Sequence, residues 1–274
     1  MREYKIIAFD MDGTLLDSAK RITEESLEAI NKAKEKGKII AISTGRNFVE
    51  LESYFDILKD VDYIIGISGG LIMDLKNREF IYRKPMDLDI VKELFARTKN
   101  DDAMIHIHSD KSIVQTDKVS NMAKYSMGVY QNLFNEITLK TDDIASFCIE
   151  NETPVYKFNF YCQNPEQREE IKSRVSDLDM TIAFAETASL ECSAKGISKG
   201  AGLKYIANLC NVSIEDTIAV GDADNDIEIL KTAGLSIAMG NSNDNIKAMA
   251  DVIVADNDHG GCAQAIYEYL LTND

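Results

Sequence analysis

Two aspartates, Asp10 and Asp12, stand one residue apart at the end of a short apolar segment and are followed by Gly13. The apolar segment, residues 5–9, is partly β-branched and bounded on both sides, which predicts a buried strand. Alternation along a strand places both carboxylates on one side of the chain. Two carboxylates at the exit of a buried strand are costly unless positive charge offsets them. We therefore expect a metal ion, a basic side chain and an anionic ligand at this position.

The apolar segment before these aspartates belongs to a repeating pattern of buried strands and helices. Further buried strands are predicted over 38–43, 62–67 and 217–221, and helices over 23–36 and 47–58. Alternation of strand and helix implies parallel pairing with right-handed crossovers. The predicted fold class is therefore α/β, with a Rossmann-like, doubly wound parallel sheet as the core.

The pattern changes between residues 85 and 187. All three prolines of the chain lie in this stretch, and strands such as 156–160 alternate polar and apolar residues. Such alternation suits a sheet with one covered face and one wetter face. We therefore predict a catalytic core from residues 1–84 and 188–274, with an inserted α+β domain from residues 85–187.

Polar side chains gather at the predicted carboxyl ends of the core strands. They are Asp10, Asp12, Thr44, Asp222 and Asp226. In an open parallel sheet, ligands bind beyond these strand ends at the point where the strand order reverses. Thr44 also stands where a helix is predicted to begin, so its hydroxyl and the nearby backbone N–H groups suit phosphate oxygens.

Four motifs containing these residues follow one another along the chain. They are Asp10-Met11-Asp12-Gly13-Thr14, Thr44 before Gly45-Arg46, Lys199 within Gly196-Ile197-Ser198-Lys199-Gly200, and Gly221-Asp222-Ala223-Asp224-Asn225-Asp226. In this order and strand context the chain resembles the haloacid dehalogenase (HAD) superfamily of phosphotransferases. The insert, together with residues 239–241, looks like the Cof-type branch with a C2 cap. The resemblance covers nearly the whole chain.

The resemblance implies a covalent phosphoryl transfer. Asp10 would be the nucleophile that forms an aspartyl-phosphate, and Asp12 would protonate the leaving alcohol and then take a proton from water. Thr44 and Lys199 would hold the phosphate, and Lys199 would also balance the carboxylates.

The resemblance also implies a cofactor and substrate contacts. Mg²⁺ prefers oxygen ligands; it would be held by the carboxylates of Asp10 and Asp222 and the backbone carbonyl of Asp12, with Asp226 acting through water. Substrate or phosphate contacts would come from three further residues, Gly45, Arg46 and Asn225. The inserted cap would set substrate specificity.

The predicted function is a magnesium-dependent phosphatase acting on small phosphorylated metabolites, with sugar phosphates as one class. One alternative is a phosphomutase on hexose phosphates, which would return the phosphoryl group to a sugar hydroxyl. Another is a non-catalytic phosphometabolite sensor, although binding alone would not need an acid beside the nucleophile. A signalling receiver domain is disfavoured because the chain is too long and residues 66–68 contain no aspartate.

The overall composition and charge of the chain indicate which classes of binding partner are unfavourable. The chain has 274 residues, a net charge of −16 and a pI of about 4.7, which disfavours nucleic acid and anionic membranes as partners. Five scattered cysteines and the lack of an export segment predict a cytoplasmic protein. The oligomeric state and the choice between Mg²⁺ and Mn²⁺ stay open.

Some residues near the motifs have a less specific interpretation. His106 and His108 share one face of a predicted strand, and without a third ligand they are interpreted as surface or packing residues. Asp224 is expected to be a solvated residue in the first turn of a helix. Ser68 stands where many HAD relatives carry asparagine, which affects the expected substrate more than the expected reaction.

Overall fold

The computed structural model describes residues 2–184 and 187–272, which form two compact units. The first unit takes the chain up to residue 45, residues 53–82 and the chain from residue 198 onward. The second unit takes residues 46–52 and 83–197. Among the described residues, no helix is long and apolar enough to span a membrane.

Strands and helices alternate along most of the chain. The strands are β1 (Ile6–Phe9), β2 (Ile39–Ser43), β3 (Tyr63–Gly66), β4 (Leu71–Asp74), β5 (Glu79–Arg83), β6 (Met104–His108), β7 (Ser112–Gln115), β8 (Leu139–Thr141), β9 (Lys157–Tyr161), β10 (Met180–Ala183), β11 (Ser189–Ala194), β12 (Thr217–Gly221), β13 (Leu235–Ala238) and β14 (Val252–Ile253). The α-helices are α1 (Glu24–Glu35), α2 (Leu88–Thr98), α3 (Thr116–Val119), α4 (Gln131–Ile137), α5 (Ile144–Glu150), α6 (Pro165–Val175), α7 (Lys199–Leu209), α8 (Ile227–Thr232), α9 (Asp244–Met249) and α10 (Gly261–Ala265). A π-helical turn, Ile266–Leu270, continues α10.

The first unit is built on an eight-stranded sheet in the order β14-β13-β12-β1-β2-β3-β4-β5. Pairing is parallel from β14 through β3, and β4 runs antiparallel to β3. The predicted α/β class with a doubly wound parallel sheet is confirmed. The strands β4 and β5 were not predicted, because only a 3₁₀ turn, Ile67–Gly69, separates β3 from β4 and β5 follows without an intervening helix, so the alternation of strand and helix does not mark them.

Strand β1 lies at the centre of this sheet. All four of its residues are fully buried, since helices on both faces of a parallel sheet leave no wet side. Burying each large apolar side chain contributes about 1.5–3 kcal/mol, so the centre of the sheet is firmly held. Neighbours β2 and β12 flank β1, and the strand order therefore reverses at β1.

The predicted helix over 47–58 is wrong. The segment instead forms two short 3₁₀ turns, Phe48–Glu50 and Glu52–Tyr54. The side-chain oxygen of Asn47 accepts a hydrogen bond from the N–H of Val49, and its amide nitrogen donates to two backbone carbonyls of the second unit. These long-range hydrogen bonds hold the segment in short turns where apolar spacing alone favours a helix.

The second unit is built on a six-stranded sheet in the order β10-β11-β9-β6-β7-β8, antiparallel except for the β7–β8 pair. On one face, Phe158 packs against Phe95 of α2, with ring centroids 4.8 Å apart. We call the opposite face the polar face. It carries His106, His108, Ser112, Lys157, Asn159 and Glu191.

The boundary predicted after residue 187 differs from the observed one. Strand β11, residues Ser189–Ala194, pairs with β9 and β10 in the second sheet, so residues 188–197 belong to the second unit. Residues 46–52 also belong to it, because Asn47 is hydrogen-bonded to that unit.

Candidate active site

The strand order reverses at β1, and Asp10 is the first residue after that strand. Its N–H donates to the carbonyl of Val220 in β12, at 2.9 Å. Asp222 follows the same neighbouring strand, and Thr44 follows β2 on the other side. The sheet register therefore brings the ends of three predicted motif strands to one edge.

Lys199 joins two of the acidic residues. Its ammonium group donates to Oδ1 of Asp10 at 2.5 Å and to Oδ1 of Asp226 at 2.7 Å. The Lys199 side chain is 2% exposed, so an uncompensated charge there would be very costly. The basic side chain expected beside Asp10 thus lies at hydrogen-bond distance from it.

Helix α7 presents Lys199 from its first turn. Ser198 caps this helix, its hydroxyl accepting from the N–H of Ala201 at 3.1 Å. Gly69, with φ of +103°, lies against Ser198, and a Cβ on it would come within 2.3 Å of the Ser198 carbonyl oxygen. The loop after β3 therefore packs closely against the start of the helix that carries the lysine.

Asp226 is completely buried and uses both of its carboxylate oxygens. Oδ1 accepts from Lys199, while Oδ2 accepts from the N–H groups of Asp222 and Ala223, at 3.0 and 3.2 Å. The side chain thus links the lysine to the backbone of the loop that carries Asp222. This is the geometry of a positioning residue.

Asp222 is oriented from the first motif. The hydroxyl of Thr14 donates to its Oδ1 at 2.9 Å. Gly13 has φ of +83°, and a Cβ at that position would lie 2.5 Å from Oδ2 of Asp222. Only glycine therefore allows the chain to turn so close to this carboxylate.

The electrostatics of the site reflect buried negative charge. Burial and the carboxylate of Asp226 raise the pKa of Asp10, and Lys199 opposes this by favouring the charged form. Burial likewise raises the pKa of Asp222 to about 6. Burial acts to lower the pKa of Lys199, but the carboxylates of Asp10 and Asp226 raise it above its ordinary value.

The acidic residues fit a hard divalent cation. One carboxylate oxygen from each of Asp10, Asp222 and Asp226 can be chosen such that all lie within 4.8 Å of one another. The donor set consists of oxygen atoms, which Mg²⁺ prefers. The raised pKa values of Asp10 and Asp222 fit the same conclusion, because a cation would relieve the cost of placing these carboxylates together.

Asp12 lies next to this group in the chain, and its carboxylate faces a different partner. Its Oδ1 accepts from the ammonium of Lys20 at 2.8 Å, and both side chains are partly exposed. Lys20 has φ of +59°, a conformation that costs a non-glycine residue energy and is often found at functional sites. Lys20 was not predicted, because nothing in the spacing of the motifs marks it.

Thr44 is 1% exposed and is held through its backbone. Its N–H donates to the carbonyl of Ile65 at 2.8 Å, and its carbonyl accepts from the N–H of Ser68 at 2.9 Å. Ser68 therefore lies beside Thr44. Ile67 and Ser68 both have positive φ, +50° and +54°, so this turn is strained.

The remaining predicted substrate residues are spread over both units. Gly45 is the last residue of the first stretch of the first unit, whereas Arg46 is counted with the second unit. Asn225 is exposed in the 3₁₀ turn Asp224–Asp226. Their roles in substrate binding stay predictions.

Thr14 lies in the first motif and Asn241 in residues 239–241, but neither was predicted as a site residue. Thr14 orients Asp222, and the side-chain amide of Asn241 donates to the carbonyl of Gly13 at 2.8 Å. Both stabilise the turn after β1 through contacts distant in sequence. Asp224 is exposed as expected, and its Oδ1 accepts from the side chains of Asn243 and Asn245.

Comparisons with known proteins place the chain in a family. The family model of haloacid dehalogenase-like hydrolases matches residues 7–266. A 5-amino-6-(5-phospho-D-ribitylamino)uracil phosphatase of Bacillus subtilis is 28% identical over 270 residues, which are 98% of this chain and 97% of that protein. A pyridoxal phosphate phosphatase of Escherichia coli is 27% identical over 277 residues, 97% of this chain and 99% of that one.

A solved structure shows the same fold. A haloacid dehalogenase-like hydrolase from B. subtilis superposes with a TM-score of 0.86 at 23% identity, covering 97% of this chain and all of that one. The similarity extends over both compact units.

Proposed function

The chain belongs to the haloacid dehalogenase-like hydrolases, and we propose that it is a magnesium-dependent phosphatase of small phosphorylated metabolites that works through an aspartyl-phosphate on Asp10. The observation that carries this proposal is the buried contact of Lys199 with both Asp10 and Asp226, beside Asp222 at the switch point of the sheet. This arrangement places several carboxylates and the ammonium group of Lys199 where a phosphate ester would bind.

The first half-reaction forms a phosphorus–oxygen bond to Asp10. Lys199 holds Oδ1 of this side chain, and Oδ2 attacks the phosphorus in line with the ester oxygen. The bond between phosphorus and the ester oxygen breaks, and the departing alkoxide takes a proton from Asp12. Thr44 and Lys199 bind the phosphoryl oxygens as the transferred group moves.

The second half-reaction regenerates the enzyme. Asp12, now deprotonated, takes a proton from a water molecule that attacks the phosphorus of the acyl phosphate. The bond to Asp10 breaks, inorganic phosphate leaves, and Asp10 returns as a carboxylate. Asp12 therefore ends the cycle protonated, and the ammonium of Lys20, 2.8 Å from its Oδ1, orients the Asp12 carboxylate between the two steps.

The metal would be held by the carboxylates of Asp10 and Asp222 and the backbone carbonyl of Asp12, with Asp226 acting through water. Bound Mg²⁺ would offset the negative charge that the phosphate and the carboxylates bring together. Asp226 and Thr14 keep Asp222 in place for this role.

The substrate class follows from the relatives. One is named for pyridoxal phosphate and one for a phosphorylated ribitylamino-uracil, both small monoesters of a primary alcohol. We propose that this chain acts on monoesters of this size, sugar phosphates included. The inserted domain's role in specificity stays a prediction.

The test is phosphate release from a panel of phosphorylated sugars, nucleotides and vitamin-derived phosphates, with Mg²⁺ or with EDTA. We expect release that needs Mg²⁺ and is abolished in Asp10→Asn, while Asp224→Asn, an exposed acid in the fourth motif, retains it. A ³²P-labelled substrate should leave acid-stable label on wild-type protein and none on Asp10→Asn.

Two results would overturn the proposal. Isomerised product from a hexose 1-phosphate, with the label retained in the sugar, would indicate a mutase. Binding of a phosphorylated metabolite without turnover, in folded protein supplied with Mg²⁺, would indicate a sensor.

A further inference from the structure

A second group of metal-ligating side chains lies within the second unit. Glu50, His106 and His108 each offer one ligand atom, and these atoms all lie within 4.8 Å of one another. The two histidines alternate along β6 and therefore point to the same side of the sheet, with ring centroids 4.0 Å apart. None of the four motifs contains any of these residues.

Glu50 reaches the histidines because its segment is anchored to the loop after β6. The amide of Asn47 donates to the carbonyls of Ser109 and Lys111, both at 3.2 Å. Residues Phe48–Glu50 then form a 3₁₀ turn beside that loop. A carboxylate 56 residues before His106 in the chain is thereby brought to the polar face.

His108 supplies an independent indication of a ligand. Its side chain is buried, with the residue 3% exposed, and among the described residues its Nδ1 has no hydrogen-bond partner. The same is true of Oδ1 of Asn159, whose amide nitrogen lies 3.3 Å from Nε2 of His108. Leaving a buried polar atom unsatisfied destabilises the folded protein, and a bound cation would remove this cost for the imidazole.

We propose that Glu50, His106 and His108 bind a divalent transition-metal cation of the zinc class. Two imidazole nitrogens and one carboxylate oxygen form a three-residue set that suits Zn²⁺, whereas Mg²⁺ takes oxygen ligands. The described part of the chain adds no thiolate to the cluster. This site is separate in composition and in position along the chain from the carboxylates of the candidate active site.

The local charges allow both imidazoles to act as ligands. Burial, and then the charge of Lys157, lower the pKa of His106 to about 3, and burial also holds the pKa of His108 well below its ordinary value. Both rings are therefore neutral at pH 7 and present a lone pair. Lys157 is itself paired with Glu191 at 2.9 Å, which offsets its repulsion of a cation.

Neighbouring side chains are placed to orient the rings. His106 lies 2.5 Å from the hydroxyl of Ser112 and 3.3 Å from that of Tyr161; one of these contacts would give way to the metal, and the other would fix the ring. With a cation at Nδ1 of His108, the proton would sit on Nε2, and the Asn159 amide would turn to accept it. Such outer partners are typical of histidine ligands.

The ligand atoms must draw closer when the cation binds. Bonds of about 2.0–2.1 Å around zinc place neighbouring ligands roughly 3.3 Å apart, compared with separations of up to 4.8 Å here. Glu50 is the last residue of a 3₁₀ turn. Rotation of its side chain can bring the carboxylate closer to the histidines without displacing β6.

The experiment uses the full chain, stripped of metal and then kept in excess MgCl₂ so that the carboxylate site is occupied. Zn²⁺ is titrated while ¹⁵N imidazole resonances are recorded. The chain has only three histidines, so each can be assigned, and the exposed His259 is an internal control. We expect one equivalent of Zn²⁺ to shift both His106 and His108 and to leave His259 unchanged.

Variants measure the affinity. In His108→Gln, Zn²⁺ binding measured by calorimetry should weaken by more than about 100-fold, the upper range for losing an outer partner alone. His259→Gln should bind like wild type, and Co²⁺ should give visible d–d absorption in wild type that is absent in Glu50→Gln. If the resonances of His106 and His108 do not shift when Zn²⁺ is added to wild-type protein, the proposal is wrong, whether or not the variants fold.

Phosphatase activity is not measured in this experiment, so its result does not depend on whether the proposed function is correct.

Discussion

Lys199 and Asp226 form a buried ion pair, with 2.7 Å between the ammonium nitrogen and Oδ1 of the carboxylate. The same carboxylate accepts two backbone N–H groups from the loop that carries Asp222. Asp226 therefore fixes both the lysine that contacts Asp10 and the loop that would hold the metal. We therefore expect Asp226 to affect catalysis by positioning Lys199 and the loop that carries Asp222.

Asp226→Asn should weaken Mg²⁺ binding by about 10- to 100-fold. The amide loses the charge that pairs with Lys199 and cannot accept all the present hydrogen bonds, so the Asp222 loop loses its anchor. Calorimetric Mg²⁺ titration of the folded variant measures the effect, with Asp224→Asn as the matched control. Wild-type Mg²⁺ affinity in Asp226→Asn would contradict the positioning role.

Gly13→Ala should abolish phosphatase activity. Its new Cβ would lie 2.5 Å from Oδ2 of Asp222, so the carboxylate must move. Gly37→Ala is the matched control, because Gly37 also has positive φ (+74°) but a Cβ there meets no atom of the described residues within 4 Å. Both should lose about 1 kcal/mol of folding free energy from backbone strain, and only Gly13→Ala should lose activity. Equal activity in the two variants would rule out crowding of Asp222.

The thiols should react with alkylating reagents in a definite order in the native protein. Burial raises the pKa of Cys148, Cys162 and Cys192 to about 12, so little thiolate forms at pH 8 and access is blocked. Cys210 is the partly exposed cysteine and should be labelled first by iodoacetamide. Mass spectrometry of peptides gives the rates, and labelling in urea should equalise them. Rapid native labelling of Cys148 would show that its site opens readily.

Asp102 should contribute stability that is lost in acid. Hydrogen bonds from Lys118, Lys124 and Tyr125 hold the pKa of this carboxyl below its ordinary value. Because the pKa is depressed in the folded state, the contribution is full above the unfolded value of about 3.9 and is lost as pH falls below it. The side chain is 42% exposed, so we expect about 1 kcal/mol or less.

Urea unfolding of wild type and Asp102→Asn checks this prediction. Wild type should be the more stable protein at pH 7, and the difference should shrink as pH falls from 4 toward 2. Asp117→Asn, at a more exposed carboxylate near Lys118, is the control. A difference that grows in acid would reverse the predicted sign.

The α/β class, the acidic residues at the strand ends and the lysine of the third motif were all predictable from the sequence alone. These features are local. Buried parallel strands show as short apolar runs, and a polar residue directly after such a run has to lie at the sheet edge. For this reason Asp10 and Asp222 could be selected before any contact between them was known, whereas Lys199 was selected from the resemblance of its motif to the HAD superfamily.

Features that depend on contacts between distant parts of the chain could be seen only in the folded structure. Nothing in the local pattern shows that Asn47 would bond to Ser109 and break a helix, or that β11 would pair with the second sheet. The pairing of Lys20 with Asp12 and the meeting of Glu50 with two histidines are of the same kind. Side-chain hydrogen bonds and burial act through space, and spacing along a sequence carries no record of them.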